Sequence, residues 1–245
     1  MILEFILDLG KLVLIVCCLC LAIRGYVRIR QPTWSAPLAR RHLAVLLILA
    51  LAAVAIKLVE DVVTGESGDI DRVILIFVHG LVPDGLTGFF KSVTFTGSST
   101  FLLPLTAGTS IAMFLAKRRS DALILSASVL GAATAVYLIK ITTNRVRPAL
   151  WETEWYWGSS FPSGHTLVVA AFATAFALYV MRSWPWARPL AVAGAVCWIG
   201  LVGLSRLVLG VHWPTDVLAA ACMGATLPLA TSVAFDLYST RRASE

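Results

Sequence analysis

Apolar residues fall into seven long runs, near 5–23, 43–62, 98–116, 121–139, 165–182, 189–205 and 214–235, with the charged residues gathered in the short stretches between them. Each run approaches the ~20 apolar residues that an α-helix needs to cross a bilayer. The pattern predicts an all-α, polytopic helical bundle, with no internal repeat, low-complexity linker or room for a second folded domain. In the first run Glu4, Asp8 and Lys11 repeat at i, i+4 and i+7 and would give a helix one polar stripe. It is expected to span as an extra N-terminal helix, with a helix lying at the interface as the alternative. A signal peptide fits poorly, because acids precede the apolar part and no small-residue cleavage site follows. Residues 70–82, IDRVILIFVHGLV, are too short to span and predict an amphipathic segment at the membrane surface. His79 within it has no partner suggested by spacing.

Composition sharpens this picture. Of 245 residues 58% are hydrophobic and 14% charged, against about 25% charged in soluble domains. That excludes an ordinary water-soluble enzyme and a disordered chain. The formal net charge is +6, which in a membrane protein is first a topology signal rather than a sign of nucleic acid. Twelve of the twenty Lys and Arg residues lie in the loop 24–41, the loop 117–119, the loop 182–188 and the C-terminal tail. These loops alternate with the others along the chain, so positive-inside logic places them in the cytoplasm. Lys57 falls inside a run and would snorkel outward, and Arg145 reads as a topology anchor. Trp151, Trp155, Tyr156 and Trp157 read as an interfacial aromatic belt. The five cysteines, Cys17, Cys18, Cys20, Cys197 and Cys222, lie in apolar runs without metal spacing and are expected to be buried thiols.

Three polar blocks remain, all at run ends on the outward side: Lys140 to Arg147-Pro148, Pro162-Ser163-Gly164-His165, and Ser205-Arg206 followed by His212 and Asp216. Lys140, Arg147 and Arg206 are cations that call for an anion, and the guanidinium fork suits phosphate. Pro162-Ser163-Gly164 predicts a helix start whose free amides, with the Ser163 hydroxyl, add a second anion site. His212, held through one ring nitrogen by Asp216, would present the other as a nucleophile, and His165 would serve as general acid and then base. The composite is phosphoryl transfer through a phosphohistidine, with Lys140, Arg147, Arg206, Ser163 and Gly164 stabilising the phosphoryl oxygens. No metal cluster or cofactor is expected.

These blocks, Lys140-x6-Arg147-Pro148, Pro162-Ser163-Gly164-His165 and Ser205-Arg206-x5-His212-x3-Asp216, resemble the signature of the type 2 phosphatidic acid phosphatase family at every position. The similarity of layout covers roughly residues 43–235. It implies a six-helix phosphatase core, with the first run as a departure, and the site roles just given. The implied divisions are 1–42, an N-terminal helix and basic cytoplasmic loop; 43–238, the phosphatase domain; and 239–245, a cytoplasmic tail. The implied substrates are lipid phosphates or pyrophosphates, such as phosphatidic acid, phosphatidylglycerol phosphate, an isoprenyl pyrophosphate or a lipid A phosphate. The implied setting is a bacterial inner membrane, with the site on its outer face. Partners would be the lipid substrate and the bilayer, with no nucleic acid and no obligate protein partner. Soluble vanadium haloperoxidases share the signature, but the spans here argue against that branch. A lipid-to-lipid phosphotransferase and a non-hydrolytic anionic-lipid transporter remain as alternative readings.

Overall fold

The computed structural model describes residues 2–30, 34–151, 153 and 156–244. Among these, regular structure is helical throughout: α1 (Ile2–Arg30), α2 (Ser35–Arg40), α3 (His42–Thr64), α4 (Gly68–Leu81), α5 (Thr87–Phe95), α6 (Ser99–Leu115), α7 (Arg119–Thr142), α8 (Gly164–Ser183), α9 (Arg188–Val208) and α10 (Pro214–Ser244). Six segments are long and apolar enough to cross a membrane: Gly10–Arg30, His42–Thr64, Arg119–Thr142, Gly164–Ser183, Pro185–Val208 and Pro214–Thr240. The third apolar run differs from its expected form. The helix there, α6, has only 17 residues, and it qualifies only jointly with α5, from which it is bent by 42°. The break has a local cause, since the Ser98 side chain accepts from the Phe101 amide at 3.3 Å and so starts a new helix. Trp155 lies outside the described residues, as do the side chains of Glu4 and Asp8.

The bundle is organised around α8, which packs against α6, α7, α9 and α10, while α10 also packs on α3, and α1 lies against α3 at the periphery. Burial and hydropathy run in opposite directions. The most apolar span, α3, has mean hydropathy 2.6 and is 6% buried in protein, whereas α8 has 1.7 and is 56% buried. A helix facing lipid must be apolar all round, while one enclosed by neighbours can use small and polar residues to bring backbones together. Gly224 on α10 shows this: a Cβ there would come within 2.2 Å of the Leu167 carbonyl oxygen on α8. Large exposed apolar residues such as Leu43, Ile56, Leu115 and Leu190 match a lipid-facing surface.

The cysteines depart from expectation: Cys222 is buried, but Cys17, Cys18 and Cys197 face outward and all five are free. Their apolar helix faces meet lipid rather than protein. Lys57 pairs with Asp61 at 2.8 Å, one turn along α3.

Segment 70–82 is helical, as the pattern indicates, but α4 is more than a surface float. Asp71 and Leu75, four residues apart on one face, are both fully buried. At the other end of the bundle, Asp121 at the start of α7 pairs with Arg118 (2.8 Å) and Arg182 (2.6 Å), and Arg41 pairs with Asp236 (2.6 Å).

Candidate active site

Four helix ends converge: the C-termini of α7 and α9 and the N-termini of α8 and α10. α8 begins at Gly164, directly after Ser163, whose extended backbone (φ −67°, ψ 107°) turns the chain into the helix. The Ser163 hydroxyl does not cap its own helix through the backbone; it lies 3.0 Å from the Thr166 hydroxyl. Its amide donates instead to the Asp216 carbonyl at 3.2 Å, joining the first turns of α8 and α10. Gly164 allows a close approach, since a Cβ would sit 3.3 Å from Val136, one turn before Lys140 on α7. The opening amides of α8 have no acceptor within the helix and direct its positive end into the site.

At the head of α10, Asp216 accepts from the Trp213 amide at 2.8 Å and from the Ser160 hydroxyl through Oδ2, and from Arg145 through Oδ1. His212 Nδ1 stands 3.5 Å from Asp216 Oδ2. The ring is therefore turned so that Nε2 points the other way, 3.4 Å from Arg147 Nη1. His212 is 2% exposed. Burial depresses its pKa from the ordinary 6.5 to about 4, and the Asp216 carboxylate only partly opposes that fall. The imidazole is neutral at pH 7 and its nitrogen lone pair is available.

Arg147 faces that nitrogen, and two further cations gather nearby. Arg147 donates to the Val211 carbonyl at 2.8 Å and to the Trp157 carbonyl at 3.2 Å. Its pKa is lowered by burial first and by the neighbouring Arg206 charge second. Lys140 Nζ and Arg147 Nη2 both donate to the Ser159 carbonyl. Arg206, fully buried, donates to Thr94 Oγ1 at 2.6 Å, which brings the end of α5 to the site. Tyr156 lies between the two guanidinium groups, with Arg206 4.6 Å and Arg147 5.5 Å from its ring centroid, and such cation–π contacts gain from desolvation. The His165 ring meets the same tyrosine edge to face at 6.5 Å. Contacts thus join Lys140, Arg147, Ser163, His165, Arg206, His212 and Asp216 into one site, with Gly164 at its helix start. Three like charges crowded beside an apolar core are electrostatically costly unless an anion comes between them. Among the described residues no three His, Cys, Asp or Glu side chains group as metal ligands would.

Three sequence-based expectations need correction. Arg145 is not a topology anchor. It donates to Asp71 Oδ2 (2.6 Å), Ser67 Oγ (3.0 Å), Thr215 Oγ1 (2.8 Å) and Asp216, bridging two fully buried carboxylates. Asp71 in turn accepts from the Thr215 amide (2.9 Å) and hydroxyl (2.6 Å). Tyr156 is part of the cation cluster rather than of an aromatic belt. His79 does have a partner, for its ring stacks on Trp151 at 3.9 Å. Trp157 by contrast is exposed and stacks on Tyr137 at 6.5 Å. The one advance signal for Asp71 was its place on the face of α4 that also carries Leu75.

The fold and the site define a helical membrane enzyme built to handle a phosphoryl group. The PAP2 superfamily matches residues 121–238, which contain the whole site signature. Phosphatidylglycerophosphatase B of Bacillus subtilis is 31% identical over 148 residues, covering 58% of this chain and 71% of that protein. Lipid A 1-phosphatase of Rhizobium johnstonii is 42% identical over 76 residues, 31% of this chain and 28% of that protein. Among solved structures, a transmembrane PAP2-type phosphatidylglycerolphosphate phosphatase from Bacillus subtilis superposes with a TM-score of 0.70 at 26% identity, over 77% of this chain and 95% of that one. The chain belongs to the PAP2 superfamily, on the branch of its membrane-bound lipid phosphatases.

Proposed function

We propose that the protein hydrolyses a lipid phosphate or pyrophosphate by a two-step, metal-independent phosphoryl transfer through His212, with phosphatidylglycerol phosphate the first substrate to test. The observation that carries this reading is the orientation of one ring: His212 turns Nδ1 toward Asp216 and Nε2 toward the Arg147 guanidinium. In the first step Nε2 attacks phosphorus and the P–O bond to the lipid breaks, while His165, which takes up a proton once the bound phosphoryl anion offsets the surrounding cations, gives that proton to the departing oxygen. In the second step His165 takes a proton from water, the hydroxide attacks phosphorus, and the P–N bond breaks to return His212 and free phosphate. Lys140, Arg147, Arg206, Ser163 and the opening amides of α8 hold the equatorial oxygens in both steps. These cations supply the neutralisation that a divalent metal supplies elsewhere.

The substrate class is supported by the identity shared with phosphatidylglycerophosphatase B over most of that protein's length. The loop charges support a site on the extracytoplasmic face of a bacterial inner membrane. The test is inorganic phosphate release by purified protein from phosphatidic acid, phosphatidylglycerol phosphate, farnesyl diphosphate and lipid A, with and without EDTA. Release from at least one lipid, unaffected by chelation, is expected. Failure with every lipid, or loss in EDTA restored by a divalent ion, contradicts the proposal.

A further inference from the structure

The opposite end of the bundle carries a basic cleft that the phosphoryl chemistry does not use. Arg24, Val27 and Arg28 of α1 form one side of it, and Ser35, Leu38 and Ala39 of α2 the other, around about 480 Å³. Its neighbours place it. α2 packs on α10, and Arg41, directly after α2, pairs with Asp236 near the far end of that helix at 2.6 Å. The head of α10 stands at the candidate active site, so the cleft opens on the other membrane face. The PAP2 match starts at residue 121, which leaves α1 and α2 outside the matched segment.

Arg24 and Arg28 stand one helical turn apart, so their Cβ atoms are about 5–6 Å from each other and both guanidinium groups can reach one anion. Both are exposed, and among the described residues neither meets a carboxylate. The sequence supplies none nearby, for no Asp or Glu occurs between Asp8 and Glu60. Arg30 and Arg40 are exposed at the ends of the same two helices and add to the positive field. The depth is that of a lipid headgroup: Arg24 lies about 9 Å along the helix axis inside the end of the span Gly10–Arg30. Leu21, Tyr26 and Ile29 around it are large and exposed, so this part of α1 faces the bilayer. Val27, Leu38 and Ala39 give the rest of the cleft an apolar lining. Such a lining suits the glycerol and first methylenes of a lipid, below two guanidinium groups that suit its phosphate. Orienting the bundle needs only charge in the loop. It does not need two unpaired arginines on one helix face above an apolar floor.

We propose that this cleft binds one anionic phospholipid from the leaflet opposite the active site, with Arg24 and Arg28 holding its phosphate and Val27, Leu38 and Ala39 its glycerol end. Bridging α1 and α2, the lipid ties the peripheral first helix to the segment that packs on α10. The site is separate from substrate binding, and the inference does not depend on the hydrolytic reading above.

Native mass spectrometry of the purified full chain in detergent, titrated with phosphatidylglycerol or phosphatidylcholine of matched chains, reads the affinity for the first bound lipid. Wild type should prefer phosphatidylglycerol. Arg24→Gln and Arg28→Gln should each cut that preference about fivefold, the factor that one basic residue near a membrane surface contributes, and the double variant should bind the two lipids alike. Arg119→Gln, which removes an exposed arginine outside the cleft, should keep the wild-type preference. Equal affinity of wild type for the two lipids overturns the proposal without recourse to any variant. So does a preference that survives in the double variant, because the lipid would then sit elsewhere, the active site included. An equal loss in Arg119→Gln would show general charge attraction in place of a built site. Inorganic phosphate at millimolar concentration should leave the lipid bound, and its displacement would show a site for a small free anion instead.

Discussion

At the scale of single residues, the proposed mechanism depends on keeping one imidazole neutral among cations. Burial of His212 disfavours its charged form, and Arg147 and Arg206 add to that effect, so the folded pKa of about 4 lies below the ordinary 6.5. The direction fixes a prediction. Because the lone pair on Nε2 persists down to about pH 4, the acid limb of kcat/KM, which reports the free enzyme, should fall near pH 4 rather than between 6 and 7. A His212 limb found at the ordinary histidine value would contradict the buried, neutral assignment. The signature residues were legible in the sequence because ionisable groups at the ends of apolar runs are few and each needs a reason. Arg145 was misread for a physical cause: its partners Asp71 and Asp216 lie 74 and 71 positions away in sequence, and no local spacing marks such a bridge. Tyr156 was misread because an interfacial tyrosine and a tyrosine between two guanidinium groups look alike in a linear sequence.

At the scale of elements, the candidate catalytic groups sit at helix termini, and the termini are tied together by hydrogen bonds that the runs themselves do not reveal. α4 is the clearest case. Its amphipathic pattern marked a surface helix, yet Asp71 uses the buried face to hold the first turn of α10 through Thr215 and Arg145. Arg145 thereby acts as a positioning residue for Asp216 and, through it, His212. Removing one partner of a buried ionic group leaves uncompensated charge and costs about 3–5 kcal/mol. Arg145→Ala should therefore lower the Tm in detergent and cut kcat far more than KM. An Arg145→Ala protein with unchanged Tm and unchanged kcat would show that the bridge neither stabilises nor positions. The bend between α5 and α6 was not legible either, because the apolar run 98–116 begins at the Ser98 cap and the nine residues of α5 before it are too few to register as part of a span.

At the scale of the whole molecule, the loop charges and the helical geometry agree. The loops that carry most of the basic residues lie at one end, where Arg118, Arg182 and Asp121 are paired, and the site lies at the other. The helical bundle and the N-terminal helix were readable from the apolar runs, because bilayer thickness sets a length that few soluble helices share. Sidedness can be read by labelling. In intact cells an impermeant maleimide should modify Val146→Cys, beside the site and 79% exposed, and should reach Trp186→Cys, 76% exposed at the opposite end, only after permeabilisation. The reverse pattern would place the site in the cytoplasm.

The central claim is that the phosphoryl group passes through His212, and acid-free rapid quench with a radiolabelled lipid phosphate tests it most directly. The account predicts a transient label, stable to base and lost in acid, on the peptide that contains His212, and its absence from His212→Ala along with phosphate release. Label on another residue, or full turnover by His212→Ala, would contradict it.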